Sequence, residues 1–163
     1  AVGEALIFLG FKVRGWSRIR KKLEGMDCYY GPEGLIKALT GAEFAILLLP
    51  KTPETENIIN DQTIGLLKKG AFIINPGRGA LIDDEILLEA LDSGQISHAT
   101  LDVFRVEPLP IDHPFWDHPK ITVTPHIAAA TRATYAAEVI AENIKRCEGG
   151  QNLLHLVNLE RGY

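Results

Sequence analysis

Short apolar runs alternate with stretches of helical periodicity along the whole chain, and this leaves few folds open. Parallel strands cannot be joined by tight hairpins; they need crossovers, and the helices of those crossovers cover the sheet. The sequence therefore predicts an α/β fold with a doubly wound parallel sheet, and five of its strands can be read directly. Val2, Ala5, Leu6 and Leu9 share one helical face and Gly10 follows as a stop. Residues 1–9 thus predict a helix, and Phe11 to Trp16 the first strand. The runs Phe44 to Leu49 and Ala71 to Asn75 are apolar throughout, the pattern of strands buried on both faces. Between them residues 61–68 read as a helix with Asp61 as N-cap and Gly70 past its end. A second capped helix is expected from Asp84 to Asp92, with Leu87, Leu88 and Leu91 turned inward. Strands follow at His98 to Phe104 and Ile121 to Thr124. Residues 128–148 predict the longest helix, closed by Gly149 and Gly150, and the tail has no strong pattern.

Composition narrows the function classes. A chain of 163 residues with 46% hydrophobic and 23% charged residues is that of one globular domain with a core. A net charge of −4 gives no global pull toward nucleic acid. No apolar run approaches the roughly 20 residues that span a bilayer, and no signal-type stretch opens the chain. A cytoplasmic protein without membrane or nucleic-acid partners is expected. Cys28 and Cys147 have no ligating neighbours, so neither a metal nor a disulfide is expected, only buried or half-buried thiols.

In a doubly wound sheet, ligands bind beyond the carboxyl ends of the strands. Those ends carry Ser17 and Arg18; Pro50, Thr52 and Thr55; Asn75 to Gly79 with Arg78; Asp102 and Glu107; and His126. Arg78, between two glycines, could grip a carboxylate through two parallel hydrogen bonds, although a plain surface ion pair fits its position equally well. His126 follows Pro125, ahead of small residues that predict a helix mouth, and by itself a histidine there can be merely structural. Glu107 changes that balance. A carboxylate on the neighbouring loop could accept a hydrogen bond from the imidazole, fix its tautomer and favour its protonated form. Together the arginine, acid and histidine make an apparatus for a small carboxylate with a reducible carbonyl.

The segment Arg14 to Lys22 holds Arg14, Arg18, Arg20, Lys21 and Lys22 and no acid. It could be a solvated helix start. In a dinucleotide fold, however, the corresponding strand end carries an acid for the ribose hydroxyls of NAD, or a basic residue for the 2′-phosphate of NADP. Ser17 and Arg18 at this position point to NADP(H), with NAD(H) possible.

The blocks "INPGRGALIDD", "LDVFRVEPLP" and "TPHIAAAT", in this order and each at a strand end, resemble the signature segments of the D-isomer-specific 2-hydroxyacid dehydrogenases. Within that family, "GWSR", "LLPKTPETENIIN" and the closing "ERGY" are most similar to the glyoxylate/hydroxypyruvate reductase A group. The resemblance implies a Rossmann-type domain and reduction of small 2-oxo acids by NADPH. It implies Arg78 as the ligand of the substrate carboxylate and carbonyl, His126 as the acid/base and Glu107 as its partner. It also implies Asp102 near the nicotinamide, Arg18 on the 2′-phosphate, Pro50 and Thr55 lining the cofactor groove, and a homodimer. Another 2-hydroxyacid specificity, or a non-catalytic NADP(H)-binding domain, would share the same fold.

Two features depart from the family pattern. The glycine-rich fingerprint and the strand before it do not occur in the sequence, since Gly3 lies within the first helix. Pro76 is not the commonest residue in its block, and would stiffen the turn carrying Arg78. The expectation is a C-terminal part of a longer enzyme: residues 1–150 as an incomplete NAD(P)-binding domain, 151–163 as a tail returning toward a substrate domain, and little activity or stability in the 163 residues alone.

Overall fold

All strand pairing in the computed structural model, which describes residues 1–129 and 131–158, is parallel. The chain runs α1 (Val2–Phe8), β1 (Arg14–Ser17), β2 (Asp27–Tyr30), α2 (Gly31–Leu39), β3 (Phe44–Ile46), α3 (Asp61–Ile64), β4 (Ala71–Asn75), a 3-10 turn (Gly79–Leu81), α4 (Asp84–Asp92), β5 (Ile96–Leu101), β6 (Ile121–Val123) and α5 (Ala133–Glu148). β1 pairs with β2, and β3 to β6 form a second sheet in sequence order. The rings of Phe11 and Phe44, in edge contact at 6.3 Å, bring the segment leading into β1 against β3. Successive strands run outward from that point, β1 to β2 in one sheet and β3 to β6 in the other. Strand order therefore reverses between β1 and β3, the switch point of a doubly wound α/β fold. Among the described residues no helix is long and apolar enough to cross a membrane.

The core lies on one face of the larger sheet. Ile73, Ala99 and Leu101 from the strands meet Leu87 and Leu91 of α4 and Leu81 and Ile82 of the connecting turn, all essentially without exposure. Each fully buried side chain of this kind stabilises the fold by about 1.5–3 kcal/mol. On the opposite face Phe44 and Phe72 stack at 5.2 Å but stay half-exposed. The expectation of strands buried on both faces is thus corrected: in β4 Ala71, Ile73 and Asn75 are buried, while Phe72 is exposed and Ile74 half-buried.

Other boundaries differ for local reasons. Asn60, not Asp61, caps α3, its Oδ1 accepting from Gln62 N–H and Thr63 N–H, and the helix ends at Ile64. Asp83 caps α4 through Ile86 N–H. β2 and α2 were not foreseen. α5 begins at Ala133 and not at 128, so His126 is not at a helix mouth. Cys28 is half-buried, within the expectation of buried or half-buried thiols, whereas Cys147 is exposed and departs from it. Ala130 of the "TPHIAAAT" block and the closing Glu160 to Tyr163 lie outside the described residues, as does the end of the expected tail.

Candidate active site

At the carboxyl end of β4 the chain folds back on itself through Asn75, which is 1% exposed. Its Oδ1 accepts from Gly77 N–H at 3.1 Å and its Nδ2 donates to the Arg78 carbonyl at 2.9 Å. The two glycines around Arg78 serve close approach and not left-handed backbone. A Cβ on Gly79 would lie 2.0 Å from the Phe104 carbonyl carbon, and one on Gly77 would lie 2.7 Å from the Leu47 carbonyl oxygen. The turn is therefore wedged between the β3 and β5 loops. Arg78 itself is extended and exposed, its Nη1 donating to the Gly77 carbonyl at 2.7 Å.

Asp102 directly follows β5 and is buried at 4% exposure. Burial alone would raise its carboxyl pKa. The Thr124 hydroxyl, the Ala128 and Ile127 amides and nearby His126 outweigh that, and hold it below the ordinary carboxylate range. Asp102 thus pins the β6 loop through three donors. Within that loop His126 takes a φ of +55°, a conformation that a non-glycine residue keeps only where its surroundings impose it.

Glu107 closes the arrangement. Its Oε1 accepts from Phe104 N–H at 2.9 Å, and its Oε2 lies 2.8 Å from His126 Nδ1. Its carboxyl is held low by the Phe104 amide first, then by the His126 hydrogen bond and the fields of His126 and Arg78. Arg78 and His126, each read from a different strand end, therefore both act on Glu107. A carboxylate can only accept, so Nδ1 carries the proton in the Glu107–His126 pair.

The other sequence-derived residues lie at the end of β1 and in the loop after β3. Ser17 ends β1, its hydroxyl donating to the Ile19 carbonyl at 2.7 Å, and Arg18 follows it, exposed. Thr55 is buried, and its hydroxyl is spent on its own loop: it donates to the Pro50 carbonyl at 2.7 Å and accepts from Thr52 N–H at 2.8 Å. Pro50 and Thr55 thus hold one loop after β3. Sequence reasoning missed Asn75 and Thr124 as positioning residues. For Asn75 the available signal was a side chain able to hydrogen-bond backbone two or three residues on, placed directly at a strand end; Thr124 gave none, since its partner Asp102 is distant in sequence.

Residues 1–128 match the family described as D-isomer specific 2-hydroxyacid dehydrogenase, NAD binding domain. The chain is 46% identical over its 163 residues to the glyoxylate/hydroxypyruvate reductase A of Serratia proteamaculans (strain 568) and 44% identical to that of Yersinia enterocolitica. It covers 52% of each, so it spans about half the length of the curated relatives it matches. Among solved structures, a D-isomer specific 2-hydroxyacid dehydrogenase from Xanthobacter autotrophicus Py2 in complex with NADPH and MES superposes with a TM-score of 0.95 at 45% identity, over 99% of this chain and 66% of that one. The NADPH-dependent glyoxylate/hydroxypyruvate reductase of Sinorhizobium meliloti, in complex with NADP and sulfate, superposes with a TM-score of 0.93 at 38% identity, over 99% of this chain and 52% of that one.

Proposed function

Because the chain belongs to the D-isomer-specific 2-hydroxyacid dehydrogenase family, we propose that the complete native protein reduces glyoxylate or hydroxypyruvate to the 2-hydroxy acid, with NADPH as reductant. The names of its relatives support the substrate, and the NADPH and NADP bound in two similar structures support the cofactor. The donor set after β1 fits a 2′-phosphorylated dinucleotide: Ser17, Arg18, Arg20, Lys21 and Lys22 stand there with no carboxylate among them. Ser17 and Arg18 would hold the phosphorylated ribose, Pro50 and Thr55 would line the groove, and Asp102 would lie near the nicotinamide end. When bound, the reduced nicotinamide supplies the hydride for the carbonyl carbon.

The chain's own residues do the rest. Arg78 binds the substrate carboxylate and polarises the carbonyl, drawing negative charge toward its oxygen. His126, protonated, gives its Nε2 proton to that oxygen as the alkoxide develops, which balances the hydride gained at carbon. Glu107 keeps the ring in the productive tautomer and compensates its charge. The observation that carries this reading is the Glu107–His126 pair at 2.8 Å, bridging two strand-end loops within the field of Arg78.

The test is steady-state turnover of the complete native protein with NADPH and each oxo acid. Arg78→Ala and His126→Ala are each expected to lower kcat/KM for glyoxylate at least ~100-fold, about 2.7 kcal/mol of transition-state stabilisation. A protein that binds NADPH but consumes it with neither acid is a binding domain, and the proposal fails. Near-normal turnover in either variant removes that residue from its role.

A further inference from the structure

A cavity of about 190 Å³ opens beside Arg78, walled by Gly79 and Phe104 and lined by Lys51, Glu56 and Arg105. It is smaller than the ~300–1,000 Å³ of sites for drug-sized ligands, so it is scaled for a small acid. Its charges do not cancel. Arg105 is occupied by acids and carbonyls: Glu56 and Asp84 each lie 3.7 Å from its guanidinium, which also donates to Asn57 Oδ1 and the Ile82 carbonyl. Two cations of the lining hold no ion pair of their own among the described residues, although Glu107 lies within the field of Arg78. Arg78 donates to its own Gly77 carbonyl, and Lys51 makes no hydrogen bond or ion pair among the described residues.

One substrate carboxylate satisfies Arg78 and leaves Lys51. We propose that Lys51 is a specificity-determining residue that favours 2-oxo acids carrying a second carboxylate, held across the cavity from the group bound by Arg78. This deepens the proposed function and rests on it. A single ammonium matches one added negative charge better than a phosphate, which bears nearly two. The cavity is bounded by the Arg78 turn and by Phe104, whose amide Glu107 binds, so it belongs to the reacting end and not to the Ser17–Arg18 end.

The experiment compares kcat/KM for oxaloacetate and for glyoxylate in the complete native protein and in Lys51 variants, with KM for NADPH measured alongside. Lys51→Met is expected to lower the oxaloacetate-to-glyoxylate ratio at least ~10-fold, Lys51→Glu to lower it further, and Lys51→Arg to keep it within ~3-fold. Added salt should depress the ratio in wild type more than in Lys51→Met. A ratio that Lys51→Met leaves within ~2-fold, a wild type inert toward oxaloacetate, or an effect confined to the KM for NADPH each overturns the inference while glyoxylate turnover keeps the proposed function standing. Absence of glyoxylate turnover in wild type sinks the proposed function, and this inference with it.

Discussion

Each oxygen of the Glu107 carboxylate is committed to a different donor, Oε1 to the amide of Phe104 on its own loop and Oε2 to the imidazole of His126 on the next. Substituting glutamine keeps the shape and one acceptor while removing the charge, so Glu107→Gln separates electrostatics from positioning. The lost charge no longer compensates the imidazolium, whose proton the reduction consumes. Glu107→Gln is therefore expected to lower kcat for glyoxylate at least ~10-fold with little change in KM. Unchanged turnover would show that Glu107 is a loop charge only. At this scale the sequence was informative about residues whose chemistry is rare at a strand end, such as Arg78 and His126. It was silent about Asn75 and Thr124, because their partners are backbone amides, a carbonyl and a buried carboxylate that only the folded turns bring within reach. The need for the glycines flanking Arg78 was not legible. Packing against Phe104 and Leu47 requires them, and long-range packing is invisible to local propensity.

Secondary-structure elements were legible where one periodicity ran long enough to stand out, as in α4 and in the apolar run of β4, and illegible where their content was mixed. β2 is only Asp27, Cys28, Tyr29 and Tyr30, behind a polar basic stretch. α2 opens on Gly31 and Pro32, which read as a turn although proline suits the first helical turn. Gly34, a poor helix former, is there because a Cβ would press to 3.3 Å on Tyr29. The late start of α5 has a tertiary cause: Asp102 takes the Ile127 and Ala128 amides, holding that segment outside the helix. The basic element end after β1 carries its own prediction. A charge-assisted hydrogen bond to a 2′-phosphate contributes ~1.5–3 kcal/mol, or roughly one to two decades in affinity. NADPH is expected to exceed NADH at least ~10-fold in kcat/KM, and Arg18→Asp to erase or invert that preference. Identical cofactor ratios in wild type and Arg18→Asp would make the stretch a solvated surface.

For the molecule as a whole, stability against acid depends on how its carboxylates are held. Asp102 is buried yet kept ionised by Thr124, Ala128, Ile127 and His126, so folding lowers its pKa, and Glu107 is lowered as well by Phe104, His126 and Arg78. Groups lowered in this way stabilise the fold above their unfolded pKa, near ~3.9 for aspartate, and that stabilisation is lost as pH falls through the folded value. Asp84 works in the other sense. Burial raises it against the fields of Arg105 and His113, so its protonation is favoured by folding and partly offsets the loss. Asp102 should dominate, because it joins the ends of β5 and β6 and its protonation disturbs three hydrogen bonds at once. The urea midpoint of the complete native protein is therefore expected to fall between about pH 7 and about pH 3. In Asp102→Asn, which is less stable at neutral pH because the amide meets two backbone N–H groups with a single acceptor oxygen, the midpoint should fall by less over the same interval. Equal acid shifts in wild type and Asp102→Asn would assign the acid sensitivity to other carboxylates and leave Asp102 a hydrogen-bond partner whose charge contributes nothing to the fold.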